Sequence, residues 1–167
     1  VVHRHPASKV TVICLALWML AMGGWCRGKT SQEGMESTEI RQAVVAGAFY
    51  PDDPGMLVDQ VDHFLANVPP QEKPSRFMGL VVPHAGYVFS GQVAAYSYDL
   101  LRGRSYDTVI LIGSSHRARY PGASVYHGTA YETPLGRVPV NREMAAELIA
   151  SAEVFNYIPQ AHQAEHS

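Results

Sequence analysis

The chain has 167 residues, 47% of them hydrophobic and 17% charged, with a formal net charge of −2. That composition suits one globular domain with a real core and is too apolar for a disordered chain. With 13 lysines and arginines against 15 acidic residues and no basic block, the chain lacks a nucleic-acid binder's electrostatic footprint, so no nucleic-acid partner is expected.

Arg4 and Lys9 precede an almost unbroken apolar run from Val10 to Trp25, and Ala21-Met22-Gly23 forms a small-x-small triplet. A basic start, a short apolar stretch and such a triplet are the pattern of a secretory signal peptide. Residues 1–26 are therefore expected to be a signal peptide or N-terminal anchor, and the protein to be exported, periplasmic or extracytoplasmic. Membrane-anchored and cytoplasmic forms are the alternatives. A spanning helix needs about 20 apolar residues, and Gly23-Gly24 loosens this run, so any membrane contact would come only through this segment if it stays uncleaved. Cys26 invites lipidation, but Trp25 stands where a small residue is expected. Residues 27–39 are polar and are expected to form a linker.

Both cysteines, Cys14 and Cys26, fall in this leading part. The domain at 40–167 can therefore have neither a disulfide framework nor a cysteine-rich zinc site.

Residues 40–54 carry a short apolar stretch that ends in Phe49-Tyr50 and the turn Pro51-Asp52-Asp53-Pro54. Asp53 before Pro54 predicts a helix start, with Leu57, Val58, Val61, Phe64 and Leu65 on one apolar face and Pro69-Pro70 closing it. His63 falls between those positions and should face solvent. Phe77 to Val82 reads as a buried strand that stops at Pro83-His84-Ala85-Gly86-Tyr87. Ser90 can cap a helix through Leu101, ended by Gly103. Val109 to Ile112 reads as a second strand, stopping at Gly113-Ser114-Ser115-His116. The two strands and the helix between them form a βαβ unit, which requires parallel pairing and right-handed crossover. Ala123 to Tyr126 is a further short strand and Thr133-Pro134-Leu135-Gly136 a turn. Asn141 caps a last helix with Ala145, Leu148, Ile149 and Ala152 on its inner face. The expected fold is α/β, a mostly parallel sheet flanked by helices. So few strands before Ser167 suggest a domain truncated at its C-terminus.

In open α/β sheets, ligands bind beyond the carboxyl ends of the strands. His84 and His116 both leave the sheet there, and neutral imidazole is a common ligand of first-row metals. For either histidine alone, a turn hydrogen bond explains its place better than ligation does; the pair is what suggests a metal site. His166, beside Glu165, is a third candidate as ligand, base or support for a ligand, although a histidine near a chain end can equally be an exposed one. His127 and His162 read as surface residues. Ser114-Ser115 with His116 lacks the G-x-S-x-G elbow, and adjacent side chains diverge, so serine hydrolysis is disfavoured. No phosphate-binding glycine motif is present.

These blocks have a familiar order. Val44-Ala46-Gly47-Phe49-Tyr50-Pro51, Pro83-His84-Ala85-Gly86-Tyr87 with Ser90-Gly91, Gly113-Ser115-His116, Thr133-Pro134-Leu135-Gly136 and Glu165-His166-Ser167 resemble those of the Memo family. Its bacterial members are called AmmeMemoRadiSam system protein B. The resemblance covers about residues 41–167. It implies a fold similar to the class III extradiol (LigB-type) dioxygenases and a metal ion, iron or copper, with zinc not excluded. By resemblance His84 and His116 are two metal ligands, and Glu165 and His166 lie near the site in roles left unassigned. The family's third ligand, a later cysteine, has no counterpart here, so the site is expected to be incomplete. The implied function is metal-dependent redox or dioxygenase-like chemistry, with a radical-SAM enzyme and a third system component as partners. The alternatives are a non-catalytic, metal-dependent module that binds a peptide or small molecule, and a metal-dependent hydrolase.

Overall fold

The computed structural model describes residues 39–166 and the backbone of residues 12–18. Ser167, Cys26, the Ala21-Met22-Gly23 triplet and the linker before Glu39 lie outside the described residues. In chain order the elements are β1 (Val12–Trp18), β2 (Ile40–Arg41), α1 (Pro54–Ala66), α2 (Tyr87–Asp99), β3 (Val109–Gly113) and β4 (Gly122–Val125). They continue with β5 (Ala130–Thr133), β6 (Gly136–Pro139), α3 (Arg142–Ser151), β7 (Phe155–Asn156) and a 3-10 turn at Pro159–Ala161.

The class is α/β, as expected, but the strands make two small mixed sheets, ordered β3-β1-β4-β7 and β2-β5-β6. β1 runs parallel to β3 and antiparallel to β4, and β4 runs parallel to β7. In the second sheet β2 is parallel to β5, and β5 and β6 form an antiparallel hairpin. Thr133 Oγ1 donates to the Gly136 carbonyl at 2.8 Å across that hairpin's turn, and Gly136 takes φ +121°. The sequence reading has the turn without its flanking strands, because Ala130–Thr133 and Gly136–Pro139 are too short to show alternation.

The largest departure concerns the expected βαβ unit. Residues 77–86 form no strand, and Met78 and Val81 are fully exposed. The neighbour of β3 is instead β1, in register from Val12 opposite Val109 to Ala16 opposite Gly113. A short apolar run is equally readable as strand or helix, and a strand exists only where a partner takes its backbone groups. Here residues 12–18, inside the run read as signal or anchor, take that place. Among the described residues no helix is long and apolar enough to cross a membrane.

The helix boundaries follow local chemistry. Asp53 accepts the Met56 N–H at 2.8 Å with Pro54 in the first turn, and Asn141 accepts the Met144 N–H at 3.1 Å. α2 starts four residues earlier than expected, at Tyr87 with Gly86 as its cap. Ser90 is not its cap: the Ser90 hydroxyl donates back to the Ala85 carbonyl at 2.9 Å. α1 and α2 pack together where Phe64 lies against Gly91, a position at which a Cβ would strike the ring. α2 has no single apolar face, and Val88, Phe89 and Val93 remain exposed.

The main core lies between α3 and the first sheet. Ala123, Val125 and Ala145 are buried there, with Met144, Leu148, Ile149 and Phe155 packed around them. Val58 of α1 and Ala152 after α3, both assigned inward from periodicity, are exposed. A second cluster joins Tyr126, Tyr131 and Val140 to Tyr157. Val125 is wholly buried. Val125→Ala is expected to cost about 2 kcal/mol through lost methyl burial and the cavity left behind, read as a lower urea midpoint with an unchanged slope.

His162 corrects the surface assignment. It is only 6% exposed, and its Nε2 pairs with the buried Ser124 hydroxyl at 2.7 Å. Residues 159–166 carry few apolar groups to announce burial; the Ser124 hydroxyl and the second sheet provide it. Burial holds the His162 imidazole down to about 4, helped by Arg41 and opposed by Glu165. The folded form keeps this histidine neutral while the unfolded chain protonates near its ordinary value. Its contribution is therefore complete above about pH 6.5 and is lost as pH falls toward 4, by about 3 kcal/mol. The stability gap between the wild type and His162→Gln should narrow over that interval. A gap constant from pH 7 to pH 4 would contradict the assignment.

Candidate metal centre

Three loops bring three imidazoles together. His84 sits in the turn before α2, which is fastened twice: Ser90 Oγ donates to Ala85, and the Tyr87 N–H donates to the Phe49 carbonyl at 2.7 Å. Gly86 packs beside the Phe49 backbone, where a Cβ would meet it in ordinary contact at 3.5 Å. His116 follows β3. The Ser115 hydroxyl before it donates to the Ala118 carbonyl at 2.8 Å and accepts the Ala118 N–H at 3.2 Å. That closes a tight local turn and leaves the serine in a structural role. His166 follows the 3-10 turn, in which His162 N–H donates to Pro159 at 2.9 Å.

The ring centroids are 5.3 Å apart for His84 and His116, 5.9 Å for His84 and His166, and 4.1 Å for His116 and His166. One ring nitrogen from each lies within 4.8 Å of the others. His84 and His116 are exposed and His166 is half-buried, with the Phe49 ring 4.9 Å from it.

Glu165 organises the cluster. Its carboxylate accepts the His116 backbone N–H at 2.6 Å, His116 Nδ1 at 2.8 Å and the His166 backbone N–H at 2.8 Å. Its side chain is only 7% exposed. With Nδ1 donating to the carboxylate, the geometry assigns His116 Nε2 as the free nitrogen. A carboxylate on the far nitrogen is the usual companion of a metal-binding histidine. Burial lowers the His166 pKa, His116, His84 and Arg117 lower it further, and Glu165 opposes them. That histidine is thereby kept in the neutral form that can donate to a cation.

The donor set fits a transition metal. A metal about 2.1 Å from each nitrogen holds them roughly 3–3.5 Å apart, so the widest pair must close by up to about 1.5 Å, within reach of side-chain rotation. Three neutral imidazoles suit iron, copper and zinc alike. No cysteine takes part, and residues 39–166 contain none.

The cluster lies between two spaces. On one side a cavity of about 300 Å³, bounded by Phe49, Phe64, Leu65, Tyr87, Ala94 and Tyr98, reaches His84 and His166. Burial raises the pKa values of Tyr87 and Tyr98, so their phenols stay neutral and no lysine, arginine or carboxylate lines the wall. On the other side is an open groove of about 610 Å³ bordered by Val88, Phe89 and all three histidines.

The structure thus brings His84, His116, Glu165 and His166 into one cluster. His84 reaches it from an irregular segment, not from a strand end. His127 is half-buried and stands apart, and His63 is exposed, its Nε2 3.1 Å from the Asn67 amide. Sequence reasoning missed Arg41. Arg41 Nε donates to the His162 carbonyl at 2.7 Å, a second guanidinium nitrogen donates to the Glu165 carbonyl, and the guanidinium lies over Tyr131. Its position just ahead of the first sequence block was the only signal available.

Comparison with known proteins agrees with this layout. The family described as Memo-like protein matches residues 41–167. The chain is 40% identical over 128 residues to a MEMO1 family protein of Thermoplasma volcanium, covering 77% of this chain and 47% of that one. It is 40% identical over 141 residues to one of Sulfolobus acidocaldarius (77% and 49%) and 36% identical over 129 residues to one of Pyrococcus furiosus (77% and 44%). The chain therefore spans about half the length of the curated relatives it matches. With the matched region running from the arginine of β2 to the histidine cluster itself, this chain belongs to the Memo family.

Proposed function

We propose that this protein holds one transition-metal ion on His84, His116 and His166 and uses it on a neutral, ring-containing organic molecule seated in the adjoining cavity. The convergence of the three ring nitrogens within 4.8 Å, with Glu165 fixing the tautomer of His116, carries this reading. Iron or copper, the metals implied by the resemblance, would supply redox chemistry at the site. A radical-SAM enzyme is then the natural partner, consistent with the family to which the chain belongs.

The chain's own residues set the conditions. His84 and His166 face both the cluster and the cavity, so a ligand there would meet any bound metal from the cavity side. Phe49, Phe64 and Tyr87 offer ring faces and edges to an apolar body. A dry cavity of about 150 Å³ accommodates benzene, so one twice that size has room for one or two rings with substituents. The uncharged wall disfavours phosphorylated or carboxylated bodies, whose desolvation would go uncompensated. Glu165, already accepting three N–H groups, orients His116 and is not free to act as a general base.

Two tests follow. The full chain titrated with zinc(II) should bind about one ion per protomer. His84→Ala, His116→Ala and His166→Ala should each weaken binding at least tenfold, and Glu165→Gln should weaken it about 10- to 100-fold. Unchanged metal content in the His84 and His116 variants refutes the site. Separately, Ala94→Phe should fill the cavity and abolish binding of p-cresol while metal content stays constant. Persistent p-cresol binding would show that the cavity is not the ligand site.

A further inference from the structure

We infer that Arg41 is a positioning residue for the metal centre, setting His166 in place through the backbone of residues 162–165. This inference rests on the proposed three-histidine site and extends it to a residue on a separate sheet.

Arg41 lies in β2, at the edge of the second sheet, opposite Tyr131 of β5. Its guanidinium is held from one side by the Tyr131 ring, 5.3 Å from the ring centroid. From there it donates to two carbonyls of one turn. Nε reaches His162 O at 2.7 Å, and a second nitrogen reaches Glu165 O. A planar fork delivers two bonds in a fixed relation, which a lysine ammonium cannot reproduce.

The two carbonyls bracket the three-residue step from the buried His162 to Glu165. Their fixation sets the direction in which the Glu165 side chain leaves the turn and places the next peptide. From that point the Glu165 carboxylate takes the His116 backbone N–H, His116 Nδ1 and the His166 backbone N–H. A continuous chain of hydrogen bonds therefore runs from Arg41 through the turn backbone to Glu165 and the imidazoles. The guanidinium touches none of the three imidazoles in this chain of contacts, so its influence is indirect. Were it lost, the turn would keep only its long backbone bond from the Glu165 N–H to the His162 carbonyl, 3.5 Å, and Glu165 would reach His116 from a less ordered turn.

The test uses the full chain with Arg41→Ala, Arg41→Lys, His166→Ala and the double variant Arg41→Ala/His166→Ala. Val140→Ala, in the core cluster that contains Tyr131, controls for general loss of stability. Cobalt(II) serves as the metal probe because its visible absorption reports ligand number and geometry. Arg41→Ala and Arg41→Lys should both weaken cobalt binding about tenfold or more and reduce the visible band, and guanidinium ion should partly restore Arg41→Ala. The double variant should lose less cobalt affinity than the two single losses combined, because part of the Arg41 effect passes through that histidine and the rest through Glu165 and His116. Additive losses, wild-type cobalt binding by the lysine variant, or an equal loss in Val140→Ala would overturn the inference.

A metal-free reading separates this inference from the metal proposal. In the apo protein, nuclear magnetic resonance should show the His116 amide and ring N–H signals of Arg41→Ala shifted toward those of Glu165→Gln. If the wild type binds no cobalt yet these signals move, the metal proposal fails and the positioning role stands. If cobalt binds through all three histidines and these signals do not move, the positioning role fails alone.

Discussion

A single buried carboxylate organises the functional end of this protein. Glu165 is almost wholly removed from solvent and accepts three N–H groups, two from His116 and one from the peptide of His166. An anion in that setting is tolerable only while those donors are present, because desolvation without compensation costs several kcal/mol. The loop after β3 and the turn before His166 are therefore tied together by the requirement to satisfy one side chain. That constraint also sets which nitrogen of the His116 ring is available. It joins His116 to the peptide of His166, while His84 is brought alongside by the separately fastened turn before α2.

The rest of the fold supplies the frame around this carboxylate. One sheet carries His116 on β3, the helix pair carries His84 at the start of α2, and the second sheet reaches the turn before His166 through Arg41. Each histidine thus comes from a loop with a different rigid support, the usual way a scaffold presents a site. The contact of Phe64 with Gly91 closes α1 on α2 and leaves the aromatic cavity between them, opening toward His84 and His166. An apolar space that ends in a cluster of imidazoles is suited to an uncharged molecule, and the neutral phenols of Tyr87 and Tyr98 keep its wall uncharged.

Much of the local structure was readable from residue types. Asp53 and Asn141 announce their helices because a short polar side chain before an apolar period satisfies the first free N–H groups. The turn at Thr133–Gly136 is equally local. The run from Phe77 to Val82 was misread, since β-branched residues show only that a strand is permitted, while pairing depends on which distant segment lies beside β3. His162 was misread for a related reason: a polar residue in a polar stretch gives no sign that Ser124, 38 residues away, will bury it.

The sequence by itself determined the helix starts, the hairpin turn, the family and the candidacy of His84, His116, Glu165 and His166, because these depend on residue type and short-range order. Tertiary structure alone decided that the two sheets are mixed, that β1 borders β3, and that His166 stands with the other two imidazoles. It also gave Glu165 its role and brought in Arg41. These features rest on contacts between residues 49 to 124 positions apart, such as Glu165 with His116 and Arg41 with the Glu165 carbonyl. Hydrogen bonds of that reach have no period or spacing in the chain, so only the folded arrangement can show them.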